Sequence, residues 1–309
     1  MPGSFPALAV DVPPDMWHNL GSTAIAFVPS LLILGSAALY LVGVWRFNRL
    51  FPEAPWSRRR TTAFLGATAL TFVAIELVIG VYDDVVFYDH MIQHLMLVML
   101  AAPFYAMGAP IDLLERATTG RAHGVVTRLL GSTVAEVVGH PATGLILYAV
   151  LIPVAHLTSL YNVTLTHGFA RSGEHLIFLV VGYLFWRPVV GIEPSRHPLH
   201  PGVRLLYLAL AIPIDTFTGV ALVATNHEMF PYYDTFTRSW GPSLVTDLHM
   251  GGSIMWMGGD ALMAFAMIPV AVLWLRDEEA RTIELDARLD AERAAEQAAA
   301  RRAGTAHDA

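Results

Sequence analysis

Apolar residues fall in seven long blocks along the 309-residue chain, and shorter polar segments separate the blocks. The blocks are about 20 residues long, the length at which an α-helix crosses the ~30 Å hydrocarbon core of a bilayer. The pattern therefore predicts an all-α, polytopic membrane protein with seven transmembrane helices. The predicted spans are Ser22–Trp45, Thr61–Tyr82, Phe87–Met107, Pro141–Leu157, His167–Val190, Val203–Thr225 and Thr246–Leu275.

The polar segments divide the chain into three parts: an outer N-terminal leader over 1–21, a membrane domain over 22–275 and a cytoplasmic tail over 276–309. The leader lacks the basic region of a signal peptide, so we expect the first span to act as the insertion signal. The tail is rich in Ala, Arg and Glu and predicts a solvated helix with pairs such as Glu284 with Arg288. Part of the less apolar segment 108–140 is expected to lie along the membrane surface as an amphipathic helix.

Composition and charge agree with this organisation. The chain is 55% hydrophobic and 15% charged, with a mean hydropathy of +0.51, which excludes an ordinary soluble domain. It contains no Cys, which excludes disulfides and thiolate metal sites. All 19 basic residues are Arg, and 17 of them fall on one side of the predicted topology. The positive-inside rule then places the N-terminus outside and the C-terminus inside.

This topology gathers polar side chains near the outer ends of the spans. His90 and His94 lie one helical turn apart on one face, and two imidazoles at that spacing can bind one metal ion. The candidate metal ligands are His90, His94, His156, His175, Asp247 and His249. The candidate supporting groups around them are Glu76, Asp89, Gln93, Glu174 and Met250.

The residue types favour copper among the metals. Imidazole suits copper, zinc and iron alike, thioether favours Cu(I), and nearby carboxylates can fix the imidazole tautomers. Each histidine taken alone is more often a hydrogen-bonded structural residue, and Met91 and Met255 are more often packing residues. Asp215 and Asp260 lie deeper and are expected to pair with hydroxyl or other polar groups. Gly251 and Gly252 allow neighbouring helices to approach closely, which would draw the outer polar groups together. A role in helix packing alone explains these glycines equally well.

The ordered motifs of the chain resemble the CtaG family of cytochrome c oxidase assembly factors over roughly residues 20–275. Their residues are His90-x-x-Gln93-His94, Pro103, Gly108-Ala109-Pro110, Leu160-Tyr161-Asn162, Glu174-His175-Leu176, Phe185-Trp186-Arg187-Pro188-Val189-Val190-Gly191, Tyr232-Tyr233 and Asp247-x-x-x-Gly251-Gly252-x-x-x-Trp256. The chain departs from the family pattern at Arg171, where a His is common, and at Leu248, where a Gln is common. Arg171 would repel a bound cation unless Glu174 pairs with it.

The resemblance implies a non-enzymatic assembly factor in the bacterial plasma membrane that supplies copper to a haem–copper oxidase. The implied partners are the membrane subunit of that oxidase, the lipid bilayer and a periplasmic copper donor; no nucleic acid is expected. A transfer site must release its ion, so we expect exposed ligands at the outer edge.

Three other functions stay open at this stage. One is a copper or proton transporter, which would need polar groups across the whole bilayer. Another is a redox enzyme, with His94 and His175 as haem ligands or with a diiron site, although the paired Glu-x-x-His motifs of diiron bundles are absent. The last is a metal-free scaffold for oxidase assembly.

Overall fold

The computed structural model describes residues 8–9, 27–237 and 239–307, so most of the predicted leader and residues 22–26 of the first span lie outside it. The chain is built from helices joined by short connections. The helices are α1 Phe27–Leu50, α2 Arg58–Glu76, α3 Val78–Tyr82, α4 Phe87–Leu95, α5 Ala102–Gly108, α6 Pro110–Ala117, α7 Gly120–Leu130, α8 Thr133–Val138, α9 Pro141–Leu157, α10 Leu160–Thr166, α11 Gly168–Val190, α12 Pro201–Ala224, α13 Leu244–Ser253 and α14 Gly259–His307. A 3-10 turn covers Pro231–Thr235, and the two-residue strands β1 Leu8–Ala9 and β2 Phe236–Thr237 pair in parallel.

Five helices are long and apolar enough to cross a membrane, and α9 with α10 forms a sixth candidate bent by 70°. The five are Val28–Leu50, Phe87–Ala117, Gly168–Val190, Pro201–Ala224 and Leu244–Gln297. The all-helical, multi-pass membrane architecture predicted from the sequence is thereby confirmed. Helix α2 is not among these candidates, so the count of seven stays a prediction.

The predicted second span does not run unbroken to Tyr82. Helix α2 ends at Glu76, Leu77 is extended, and the short helix α3 follows. A Cβ on Gly80 would lie 1.9 Å from the carbonyl oxygen of Ile75, so only glycine fits at this position in α3 after the break. The break leaves Glu76, which is fully buried, at the very end of α2.

Spans three and seven each contain a π-helical segment, over Met96–Ala101 and Ile254–Gly258. Such segments are rare and carry one extra residue in a turn, which leaves a carbonyl free for another partner. Inside the first segment the carbonyl of Val98 accepts a hydrogen bond from the Trp186 indole at 2.8 Å. This bond ties span three to α11.

Glycines set the closest helix contacts around span seven. A Cβ on Gly219 would lie 2.6 Å from the carbonyl oxygen of Gly252, and a Cβ on Gly252 would lie 2.8 Å from that of Gly219. A Cβ on Gly251 would lie 2.5 Å from the Phe87 ring. These glycines hold α12 and span three close to α13, which is the packing role considered for Gly251 and Gly252.

The connections assigned to one membrane side meet one another in space. Arg60 bonds Asp112 at 2.8 Å, and Arg196 pairs with Glu136. Helix α7 on this side buries none of its side chains, although Val125 and Leu129 are apolar. That character fits the expected amphipathic surface helix. The tail continues α14 as one helix to His307, and Arg288 donates to Glu284 at 2.6 Å, as the spacing predicts.

Candidate functional site

Three histidines from two spans lie in contact. His90 and His94 project from α4, and His156 projects from the end of α9. The ring centroids of His94 and His156 are 4.9 Å apart, and those of His90 and His156 are 5.6 Å apart. The fourth member is His175 on α11, and we call these four residues the histidine cluster.

Aromatic rings enclose the cluster. The Phe178 ring lies 4.8 Å from His94 and 5.8 Å from His156. The Tyr161 ring lies 4.3 Å from His90. The exposed fractions of the four histidines are between 0 and 7%. The expectation of exposed ligands at the outer edge is therefore wrong for these residues, because the bend between α9 and α10 folds Tyr161 over them.

Most of the ring nitrogens of the cluster have no hydrogen-bond partner among the described residues. The unpartnered atoms are Nε2 of His90, Nδ1 and Nε2 of His94, Nε2 of His156 and Nε2 of His175. His156 is oriented by its other nitrogen, since Nδ1 donates to the Ile152 carbonyl at 2.8 Å. In that tautomer the Nε2 lone pair is available to a ligand. Buried polar atoms without partners are rare in folded proteins and point to an ion or water at the site.

Hydrogen bonds and an ion pair close the cluster at the end of the bundle where α4 begins. The hydroxyl groups of Tyr161 and Tyr233 are 2.7 Å apart, and Tyr233 donates to the Asp83 carbonyl at 3.0 Å. Arg171 pairs with the carboxylates of Asp83 and Asp84. The ion-pair partners of Arg171 are thus Asp83 and Asp84, whereas the sequence suggested only Glu174 as a residue that could pair with it.

Asp83 also lies beside the histidine cluster. Its Oδ2 is 3.9 Å from Nε2 of His175. Burial raises the pKa of the Asp83 carboxyl to about 6, against the opposite effect of the Arg171 charge beside it. A carboxylate at this position can orient the His175 ring.

Two candidate ligands on α13 make other contacts. The carboxylate of Asp247 accepts hydrogen bonds from the backbone N–H groups of Phe87 and Tyr88, both at 3.0 Å. It thereby caps the N-terminus of α4, where a negative charge is favourable. His249 has its Nε2 2.8 Å from the Thr225 carbonyl oxygen. These contacts position span three and connect α13 to α12.

The five candidate supporting groups are distributed around span three. Gln93 donates to the Ala74 carbonyl at 2.9 Å and so links α4 to α2. Asp89 and Glu76 are buried, Glu174 is partly buried, and Met250 is exposed. Within the described ranges, no group of three or more His, Asp or Glu side chains is placed so that it could hold a metal ion.

A second polar cluster lies deeper, between α9, α12 and α14. Tyr148 and Asp215 are fully buried, and the Tyr148 hydroxyl is 2.7 Å from both carboxylate oxygens of Asp215. Thr216 donates to Asp260 at 2.8 Å. The expectation that Asp215 and Asp260 pair with hydroxyl groups is confirmed. We call these four residues the carboxyl cluster.

Sequence reasoning did not identify three residues that shape the histidine cluster: Phe178, Tyr161 and Asp83. The spacing of Phe178 three residues after His175 gives it the same helix face and could have indicated its place. Tyr161 and Asp83 reach the cluster through the bend after α9 and the break after α2, and neither feature has a local signal in the sequence.

The fold and this site define a class: a multi-pass helical membrane protein with a buried imidazole cluster at one end of its bundle. Within that class the family is shown by a family model that matches residues 38–277, described as cytochrome c oxidase caa3 assembly factor (Caa3_CtaG). The chain belongs to this family, which confirms the resemblance seen in the sequence.

Similar curated proteins come from mycobacteria. An uncharacterized protein of Mycobacterium leprae is 26% identical over 280 residues, covering 88% of this chain and 41% of the relative. Uncharacterized proteins of Mycobacterium bovis and Mycobacterium tuberculosis are each 28% identical over 265 residues, covering 76% of this chain and 40% of the relative. The chain thus spans about two fifths of the length of these relatives. No solved structure matches the chain at a significant level.

Proposed function

We propose that this protein is a cytochrome c oxidase assembly factor that holds one copper ion as cargo in the histidine cluster. The observation that carries the proposal is the set of five buried ring nitrogens, on His90, His94, His156 and His175, that have no hydrogen-bond partner in the described structure. An imidazole buried without a partner loses its hydrogen bonds to water and gains nothing in return. A metal ion would satisfy several of these nitrogens at once.

The separations between the rings are compatible with such an ion. With metal–nitrogen distances of 2.0–2.1 Å, two imidazoles on one tetrahedral ion have ring centroids about 5 Å apart. The observed separations of 4.9 Å for His94 with His156 and 5.6 Å for His90 with His156 are close to that value. Binding would require the side chains to reorient, because no three of these groups converge on one point in the described structure.

The charges near the cluster also suit a cation. Arg171 is paired with Asp83 and Asp84, and these two carboxylates offset part of its charge beside His175. The Asp83 carboxylate, 3.9 Å from His175, adds an acceptor next to that ring. The imidazoles themselves would suit copper, zinc or iron, and membership of an oxidase assembly family favours copper.

The closed site suits a chaperone that protects its cargo. The bonded hydroxyl groups of Tyr161 and Tyr233 cover the cluster, so loading and release require these rings to separate. Transfer would then proceed by ligand exchange with a haem–copper oxidase membrane subunit, and a periplasmic donor would supply the ion. No chemical conversion is needed in this role, which makes the protein a non-enzymatic factor.

The same proposal implies on which side of the membrane the histidine cluster lies. We place seven spans in a bacterial plasma membrane, with the N-terminus and the histidine cluster on the periplasmic side. Contacts between Arg60 and Asp112 and between Arg196 and Glu136 gather the basic connections at the opposite end of the bundle. The absence of cysteine allows a direct test with Asn226→Cys and Ser195→Cys. A membrane-impermeant maleimide should label only Asn226→Cys in intact cells; labelling of Ser195→Cys alone would reverse the orientation.

The packing of the cluster favours a bare ion over haem. A bis-histidine haem needs a slot between facing rings, and Phe178 fills the space 4.8 Å from His94. The metal-free scaffold is the alternative that the copper experiment must exclude.

The test is metal analysis of the purified full-length protein after anaerobic loading with Cu(I). We expect about one copper per chain in the wild type and a loss of most of it in His90→Ala/His94→Ala, because the cluster supplies the ligands. The matched control is His167→Ala/His227→Ala, which removes two exposed histidines. Equal copper content in all three proteins would show that the histidine cluster is not the copper site. No copper in any of them would favour the alternative of a metal-free scaffold.

A further inference from the structure

Aromatic rings form the surroundings of the three histidines that contact one another. His90, His94 and His156 are each at most 2% exposed, and Phe178 is 1% exposed. The Phe178 ring lies 4.8 Å from His94 and is stacked on His156 at 5.8 Å, with 12° between the ring planes. The Tyr161 ring lies 4.3 Å from His90. These contacts give the three imidazoles an apolar enclosure.

His175, the fourth member of the cluster, has a different neighbour. Its Nε2 atom faces the carboxylate of Asp83 at 3.9 Å. The other three histidines hold four ring nitrogens without a hydrogen-bond partner in the described structure. The donors that an ion among the aromatic rings would meet are thus three neutral imidazoles.

Coordination number separates the ions that imidazole can bind. Zn(II) almost always has four ligands and Cu(II) favours tetragonal sites, so with three imidazoles each needs a further donor such as water. A water bound in the interior needs polar partners of its own. The Phe178 ring offers none, and the Tyr161 hydroxyl is already bonded to Tyr233. Cu(I), a soft ion that is stable with three ligands, needs no further donor.

Charge favours the same ion. Because imidazole ligands are neutral, a bound ion keeps its full charge inside the apolar enclosure. The cost of burying an ion rises with the square of its charge, so a divalent ion costs about four times as much as a monovalent one. The carboxylate of Asp83 is shared with Arg171, which weakens it as a counter-charge. The enclosure therefore disfavours divalent ions.

We infer that the histidine cluster selects the monovalent ion Cu(I) through the imidazoles of His90, His94 and His156, and that Phe178 is the residue that excludes divalent ions. Binding by all three imidazoles follows the side-chain reorientation already described. The inference rests on the proposed function, which requires only that the cluster binds copper. It adds the oxidation state of the cargo and the side chain that sets it.

The first test compares four ions on the full-length protein in detergent. Cu(I), Ag(I), Zn(II) and Cu(II) are added separately, Cu(I) under anaerobic conditions, and the retained metal is measured after desalting. Ag(I) serves as a second monovalent soft ion. We expect about one Cu(I) or Ag(I) per chain and about tenfold less Zn(II) and Cu(II). X-ray absorption of the Cu(I) protein should show nitrogen ligands and no oxygen ligand.

The second test changes the residue that sets the selectivity. Phe178→His places a further imidazole beside His94, so retention of Zn(II) should rise about tenfold. The matched control is Phe64→His, because Phe64 is also buried but packs against Tyr40 and Tyr105, away from the cluster. Its Zn(II) retention should stay at the wild-type level. If Phe178→His fails to fold, Phe178→Asn supplies a smaller side chain with an amide oxygen and should give the same change.

The outcomes distinguish this inference from the copper proposal. Wild-type retention of Zn(II) or Cu(II) at the level of Cu(I) would overturn the inference and leave the proposed copper site standing. An oxygen ligand in the Cu(I) protein, or equal Zn(II) retention in Phe178→His and Phe64→His, would do the same. Failure of the wild type to retain any of the four ions would overturn the proposed function together with the inference.

Discussion

The histidine cluster and the carboxyl cluster are both polar groups buried in an apolar bundle, yet they differ in how their polar atoms are satisfied. In the carboxyl cluster, both oxygens of Asp215 lie 2.7 Å from the Tyr148 hydroxyl and Asp260 accepts from Thr216, so that only Oδ1 of Asp260 lacks a hydrogen-bond partner among the described residues. In the histidine cluster, five ring nitrogens lack such a partner within the described residues.

The comparison separates a structural use of buried polarity from one that awaits a ligand. A buried acid that is hydrogen-bonded to a neighbouring helix joins α9 to α12 without any further component. Buried imidazoles without partners reduce stability until something binds them. Burial alone thus does not indicate a functional site; several unpartnered polar atoms in one cluster are the stronger indication.

The largest effect is expected in cells, from His90→Ala/His94→Ala. If the cluster supplies copper, the oxidase in a strain with this variant should lose most of its copper and activity, a decrease of about tenfold or more. Oxidase copper and oxygen consumption of isolated membranes are the measurements, with protein level checked by immunoblot. Tyr148→Phe, from the other cluster, is the control and should keep oxidase copper. Normal oxidase in the double variant would contradict the proposal.

Tyr148→Phe should instead reduce stability. Removing the hydroxyl leaves the fully buried Asp215 without its donor, at an expected loss of about 1–3 kcal/mol in the free energy of unfolding. Chemical denaturation of the purified protein in detergent measures it. Tyr232→Phe provides a comparison on a partly buried tyrosine in the 3-10 turn. A loss no greater than that of the comparison would show that the carboxyl cluster is not held by this bond.

Asp247→Asn tests whether this carboxylate positions span three or binds the ion. As a cap of α4 it should cost about 0.5–2 kcal/mol of stability when its charge is removed. Copper retention per folded protein should stay near the wild-type value. Loss of copper equal to that of His90→Ala/His94→Ala, with unchanged stability, would make Asp247 a ligand instead. Asp286→Asn on the exposed tail is the control.

The smallest effect is expected from His94→Leu in the metal-free protein. Both ring nitrogens of His94 are without partners in the described structure, so an apolar residue of similar size should leave stability unchanged or raise it by up to about 1 kcal/mol. Thermal unfolding of the apoprotein measures this. A marked loss of stability would show that the ring has a structural partner. The histidine cluster would then stabilise the fold, as the carboxyl cluster does.

Regular helical spacing allowed part of this site to be predicted. His90 and His94 share a face because they are four residues apart, and the order of the spans brought His156 and His175 to the same end. The role of Asp247 could not be read in this way, since it caps a helix that begins 160 residues earlier in the chain. Its carboxylate looked like a ligand because sequence gives residue type and depth but not direction.

The fold, like the site, could be predicted only in part from the sequence. Counts of apolar residues predicted the long helices and the ends of α9 and α11 within a residue or two. They missed the break at Leu77 and the bend after Leu157, because hydrophobicity does not report the direction of the chain. The enclosure of the histidine cluster depends on both features, which is why its burial was not foreseen.

The π-helical segment of Met96–Ala101 has a consequence for how this chain can vary in length. One extra residue in a turn means that deleting a residue there would restore an ordinary α-helical turn. The half of span three before the segment carries His90 and His94, and the half after it packs against Gly182. Both halves would keep the faces that they now turn towards their neighbours. Elsewhere in span three the same deletion would rotate one half by about 100° relative to the other. Span three can therefore shorten by one residue at this place and keep both of its contacts.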